Sequence, residues 1–95
     1  MAIAMLTTVA EATLDQYDQV GAKLGIDSSP PEGLVVHVAA PREDGGFVVF
    51  EVWETPDAYE RFSQERLGPA IAEVTEGQAG QPDRQQWEVH NVIKP

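Results

Sequence analysis

The chain predicts an α+β fold, one four-stranded antiparallel sheet carrying two helices on a single face. Three observations predict it. Four short stretches are apolar and rich in β-branched or aromatic residues. Two segments between them switch to a period of three to four residues, which is helical. The resulting order is βαββαβ, and its economical packing is the ferredoxin-like arrangement. Ninety-five residues suit one domain with one core, so residues 1–95 are read as a single domain.

The first strand is expected over residues 2–9. Ile3, Met5 and Val9 share one parity while Ala4, Leu6 and Thr8 share the other, so both faces are largely apolar and both need cover. In "TLDQYDQVGAKLG", Leu14, Tyr17, Gly21 and Leu24 fall on one helical face. Thr13 with Gln16 forms a capping box, and Gly25 suits a left-handed stop. "GIDSSPPEG" is turn chemistry. Strands two and three are expected over 33–40 and 46–53. They are joined by "PREDGG" as a hairpin, and are therefore antiparallel neighbours.

Thr55 is placed to cap a second helix whose first turn holds Pro56 and Asp57. Ala58, Tyr59 and Phe62 supply its buried stripe. "LGP" at Leu67–Pro69 is expected to break or kink it, with Ile71 and Val74 resuming the pattern. "TEGQAGQPDRQ" reads as a polar loop, and "QWEVHNVIK" as a closing fourth strand. A sheet apolar on both sides with helices on only one implies a homodimer that stacks the open faces.

Composition narrows the function. Sixteen acidic residues against six basic give a net charge of −10. Such a surface repels phosphate backbones and anionic lipid, which argues against nucleic-acid and membrane partners. Cysteine is absent, so disulfides, thiolate metal sites and thiol nucleophiles are excluded. The N-terminal "MAIAMLTTVA" lacks a basic leader and is too short to span a bilayer, so a cytoplasmic protein is expected.

Two polar residues interrupt the strands: His37 in the second and Glu51 in the third. A charge set against the helices would lose water and find few partners. That argument places Leu34, Val36, Val38, Val48, Phe50 and Val52 against the helices, and turns His37 and Glu51 into a cavity between subunits. His90 on the fourth strand is assigned to the same cavity. The three form a candidate proton-transfer group, because titratable clusters in cavities are functional candidates. Val35 and Phe47 share the parity of His37 and Glu51. With Trp53 and Tyr59 they are candidate contacts for an apolar or aromatic ligand. A metal is not expected, because no HxH or HxxxH spacing accompanies these residues. No cofactor motif is present either, since the "DGG" turn lacks the helix start that a phosphate cradle needs. The competing reading makes the histidines satisfied interface residues of a dimeric binding or interaction module without turnover.

At "EVWETPDAYERF" the sequence resembles the antibiotic-biosynthesis-monooxygenase-like group of dimeric α+β barrels. Members end the third strand with a glutamate and an aromatic two residues later, then a Ser or Thr cap and a helix opening with acidic and small residues. Glu51, Trp53, Thr55, Asp57, Ala58 and Tyr59 occupy those positions here. The resemblance implies a homodimer whose sheet edges, strands two and four, bring His37 of one subunit toward His90 of the other. It also implies activities that include cofactor-independent oxygenation of electron-rich aromatic polyketides, haem degradation and isomerisation. Many relatives carry a histidine early in the second helix, the iron ligand in haem degraders. Phe62 stands there in this chain, and haem binding is not expected.

Overall fold

The computed structural model describes residues 1–26, 28–77 and 82–94. The elements are β1 (Ile3–Val9), α1 (Leu14–Leu24), β2 (Leu34–Pro41), β3 (Phe47–Trp53), α2 (Pro56–Phe62), a π-helical turn (Ser63–Leu67), α3 (Gly68–Thr75) and β4 (Asp83–Glu88). The strands form one antiparallel sheet in the order β2-β3-β1-β4, which is the α+β ferredoxin-like topology that the sequence predicts.

Local chemistry sets the element ends. The Thr13 hydroxyl accepts from Gln16 N–H at 3.1 Å and the Gln16 amide oxygen accepts from Thr13 N–H at 3.0 Å, which completes the capping box of α1. Gly25 ends that helix at φ 63°. Thr55 caps α2 by accepting from Ala58 N–H at 3.1 Å. The β2–β3 hairpin closes through Gly46 at φ 75°, where a side chain would collide with the backbone of Val9 and Ala10.

The expected break at Leu67–Pro69 takes a milder form. Proline at 69 has no N–H to give, and its ring crowds the carbonyl four residues back. The helix answers by widening to a π turn in which Gly68 N–H bonds to the Ser63 carbonyl, and α3 continues from there. Within this turn Arg66 reaches across to donate to the Leu24 carbonyl at 2.7 Å, tying the end of α1 to the widened segment.

The two sheet faces are the reverse of the sequence expectation. Ile3, Met5, Glu51 and Trp53 are buried under the helices, Trp53 with no exposed surface. They pack with Tyr59 and Phe62 of α2, and Leu24, Ile26 and Leu34 close the rim of this core. The opposite parity, with Val36, Val38, Phe50 and Trp87, faces outward, Val38 being 51% exposed. Alternation could not decide the matter, since both parities are apolar. The cost of burying His37 and Glu51 was overstated, because α1 supplies a partner to the imidazole. A bulge between Leu34 and Val36 also lets Leu34 and His37, of opposite parity in sequence, lie opposite Trp53 and Glu51 on the same face.

The fourth strand lies earlier than expected. β4 pairs with β1 from Asp83 opposite Thr8 to Glu88 opposite Ile3. The ladder stops there because β1 itself begins at Ile3; one further bond joins Val89 N–H to the Ala2 carbonyl. The expected loop before it is correspondingly shorter, and its middle, residues 78–81, lies outside the described residues.

Candidate functional site: a tyrosine–histidine–glutamate array

The register places His37 directly opposite Glu51 on adjacent strands. His37 Nδ1 lies 2.7 Å from Glu51 Oε2. An ionised carboxylate only accepts, so Nδ1 carries the proton of this bond. The other ring nitrogen, Nε2, lies 2.6 Å from the hydroxyl of Tyr17 on α1. In the neutral imidazole Nε2 is therefore the acceptor and Tyr17 donates to it. The second Glu51 oxygen, Oε1, faces the indole N–H of Trp53 at 3.4 Å. The array thus runs from phenol to imidazole to carboxylate to indole.

Aromatic packing holds these groups in place. The Tyr17 ring lies nearly parallel to the His37 ring, with centroids 5.9 Å apart, and meets Phe47 edge-on at 5.4 Å. Trp53 contacts Tyr59 edge-on at 5.6 Å and Phe62 at 5.4 Å. The side chains of His37 and Glu51 are 22% and 12% exposed, so the array is screened from bulk water and yet reached by it. Such surroundings strengthen each hydrogen bond relative to solution. Among the described residues, no buried side-chain polar atom lacks a partner.

Of the residues singled out in sequence, the structure brings together His37, Glu51, Trp53, Tyr59 and Phe47. They lie within one subunit, between sheet and helices, and not on the face left open for a partner. His90 does not join them. It lies two residues beyond the end of β4, the edge strand opposite to β2, and is exposed. The expected meeting of His37 with His90 across a dimer loses its basis, because the His37 ring is held by Tyr17 and Glu51 of its own chain. Val35 also falls outside the array; with Val36, Val52 and Val92 it borders a separate apolar concavity.

Tyr17 is the member that sequence reasoning missed. Its spacing sets it on the helical face of Leu14, Gly21 and Leu24, where a tyrosine differs from a leucine by a hydroxyl that needs a partner. A phenol on that face and an unexplained strand histidine are the pair of signals from which the contact could have been inferred. No group of three or more metal-ligating side chains is found among the described residues. Nor is any helix among them long and apolar enough to cross a membrane.

No protein-family model and no curated protein matches the sequence significantly. Solved structures match over nearly the whole chain. SnoaB, a cofactor-independent oxygenase from Streptomyces nogalater, aligns with a TM-score of 0.62 at 16% identity, covering 99% of this chain and 96% of its own. A candidate antibiotic biosynthesis monooxygenase from Chloroflexus aurantiacus gives 0.69 at 18% identity, covering 99% and 98%. Rv0793 from Mycobacterium tuberculosis gives 0.68 at 15% identity, covering 99% and 100%. At these identities the likeness is one of fold. The chain has the fold of the antibiotic-biosynthesis-monooxygenase-like proteins, the group that its "EVWETPDAYERF" segment resembles.

Proposed function

We propose that this protein binds a small aromatic, polyketide-like molecule between its sheet and helices and withdraws a proton from it through the Tyr17–His37–Glu51 array. The observation that carries this reading is the continuous hydrogen-bonded path from the Tyr17 hydroxyl to the Glu51 carboxylate. A neutral imidazole is satisfied when one ring nitrogen donates and the other accepts. This one has an acceptor on one ring nitrogen and a donor on the other, in the order of a general base and its orienter.

The chemistry follows from the array. The acidic proton of a bound phenol or enolisable ketone passes to the Tyr17 oxygen as the Tyr17 proton passes to His37 Nε2. Glu51 then stabilises the imidazolium so formed. The ligand anion is electron-rich and gives one electron to dioxygen. The two radicals combine at carbon to form a peroxide, which loses water to leave a quinone. For anthrone the balance is one anthrone and one dioxygen to one anthraquinone and one water, with no other co-reactant. Without dioxygen, the same proton transfer would serve an isomerisation or cyclisation. SnoaB's description as a cofactor-independent oxygenase supports the first course. The cytoplasm is the compartment that belongs to this reading.

A homodimer belongs to it as well. Val36, Val38, Phe50 and Trp87 leave the sheet's outer face apolar and exposed, and a monomer rarely keeps such a patch. A second copy of the chain, stacked sheet to sheet, is the occupant we assign to it.

The test is oxygen uptake and anthraquinone formation with anthrone as substrate. The parent protein should accelerate both, and His37→Ala should abolish the acceleration while the fold persists by circular dichroism. Equal rates for parent and variant would support the non-catalytic module instead, in which the array only ties α1 to the sheet.

A further inference from the structure

We infer that Trp87 of each subunit seats in the apolar concavity beside Val36 of a second copy, the two copies being related by a two-fold axis parallel to the strands. The seating rests on the homodimer proposed above and fixes how its copies meet. β4 carries one apolar residue among its six, Trp87, and that residue is 49% exposed. An indole left half in water on an edge strand is the kind of side chain that anchors an interface. The other outward residues of β4, Asp83 and Gln85, are polar and offer no such anchor.

The concavity lies at the far end of the same row of side chains. Register sets Val36 opposite Val52, Val52 opposite Ala4 and Ala4 opposite Trp87, straight across β2, β3, β1 and β4. Residues directly opposite share a face, so all four belong to the outer one. At the β2 end, Val36 and Val52 with Leu34, Val35, Val92 and Ile93 border a space of about 530 Å³. That volume falls in the range that holds a drug-sized molecule, and so admits an indole.

A two-fold axis between stacked sheets, running along the strands at the centre of this row, exchanges its ends. Val52 then faces Ala4 of the second copy, and Val36 faces its Trp87. With strands about 4.8 Å apart, the indole and its seat both lie about 7 Å from the axis. Stacked sheets cross at about 30°, which displaces the two by only about 4 Å at that distance, within the reach of an indole. Size matches along the row as well. Small Ala4 meets Val52, which is already buried, and the largest side chain meets the open space. An isologous interface requires this self-complementarity. An axis across the strands would instead set β4 over β4 and leave both indoles away from the concavities.

The chain has no cysteine, so introduced cysteines report the contact without background. Val36→Cys and Trp87→Cys are refolded together and treated with a short bis-maleimide. A crosslinked dimer should form in the mixture and in neither variant alone. The native side chain is followed in parallel by fluorescence. Acrylamide should quench Trp87 several-fold less in the parent dimer than in monomeric Phe50→Asp, against a constant background from Trp53, which has no exposed surface. Trp87→Ala should weaken the dimer about thirtyfold or more, with circular dichroism unchanged. If light scattering reports a dimer while crosslinks form within one variant alone, or while Trp87 is quenched as freely as in the monomer, the dimer stands and the seating is overturned. Binding of anilinonaphthalene sulfonate by the parent dimer, lost in Val36→Asp, would give the concavity to a small molecule and overturn the seating too. A parent that stays monomeric overturns the dimer and the seating together.

Discussion

Replacing Glu51 with glutamine tests the array with almost no change of volume. In the parent, both carboxylate oxygens accept, one from His37 Nδ1 at 2.7 Å and the other from Trp53 Nε1 at 3.4 Å. Glutamine offers one acceptor and one donor. If its oxygen is kept on His37, its NH₂ is set against the indole N–H. If its NH₂ turns to His37, the imidazole must move its proton to Nε2. Nε2 then donates to Tyr17 and can no longer take a proton from it. Either way one favourable bond is lost or the direction of the chain is reversed. A hydrogen bond to a charged group contributes about 1.5–3 kcal/mol and a neutral one about 0.5–1.5. The variant should therefore lose about 1–2 kcal/mol, or about 4–16 °C in melting temperature at this chain length. Its effect on chemistry should be larger, a fall of about 10²–10⁴ in anthrone turnover, the range for loss of general-base assistance. Thermal melting and oxygen uptake on the same preparation check both figures. A variant that melts with the parent and turns over at the parent rate would refute the array as anything more than packing.

Further outcomes follow from other parts of the fold. Light scattering should report twice 10.4 kDa at micromolar concentration, and Phe50→Asp on the open face should yield monomer without disturbing the array. Hemin should give no sharp Soret band, since Phe62 packs against Trp53 where haem-degrading relatives place an iron ligand; a band abolished by changing a single histidine would prove this wrong. Gly46→Ala should cost about 2 kcal/mol or more by chemical denaturation, because a left-handed φ and a backbone collision are combined at one residue. Thr13→Ala should cost about 1 kcal/mol by the same assay, through loss of the capping box.

The parts of the fold that were legible in sequence are those governed by local chemistry. Thr13, Gly25 and Thr55 announced the helix ends, and the Pro, Asp and Gly residues between β2 and β3 announced the hairpin. Which sheet face is buried was not legible, because β1 and β3 are apolar on both parities and the bulge at Leu34–Val36 shifts the alternation of β2. The candidate site was half legible. His37, Glu51 and Trp53 stood out as polar or aromatic residues in strands, and register does bring them together. Tyr17 was hidden by its own helix, where periodicity marks it only as one member of a shared face. His90 was misplaced because the end of β4 depends on where β1 begins, a long-range fact that no local pattern carries.

The central claim is that ligand binds within the subunit at Tyr17, His37 and Glu51, under the helices. The chain carries two histidines, and the structure separates them: His37 in the array, His90 exposed beyond β4. Their ring proton resonances are therefore a built-in pair of reporters, assigned by His37→Ala and His90→Ala. The most direct measurement is a titration with 1-naphthol followed by nuclear magnetic resonance at both rings. A saturable displacement of the His37 signals is expected, lost in Tyr17→Phe, with the His90 signals unmoved. Displacement at His90 with His37 unchanged would contradict it.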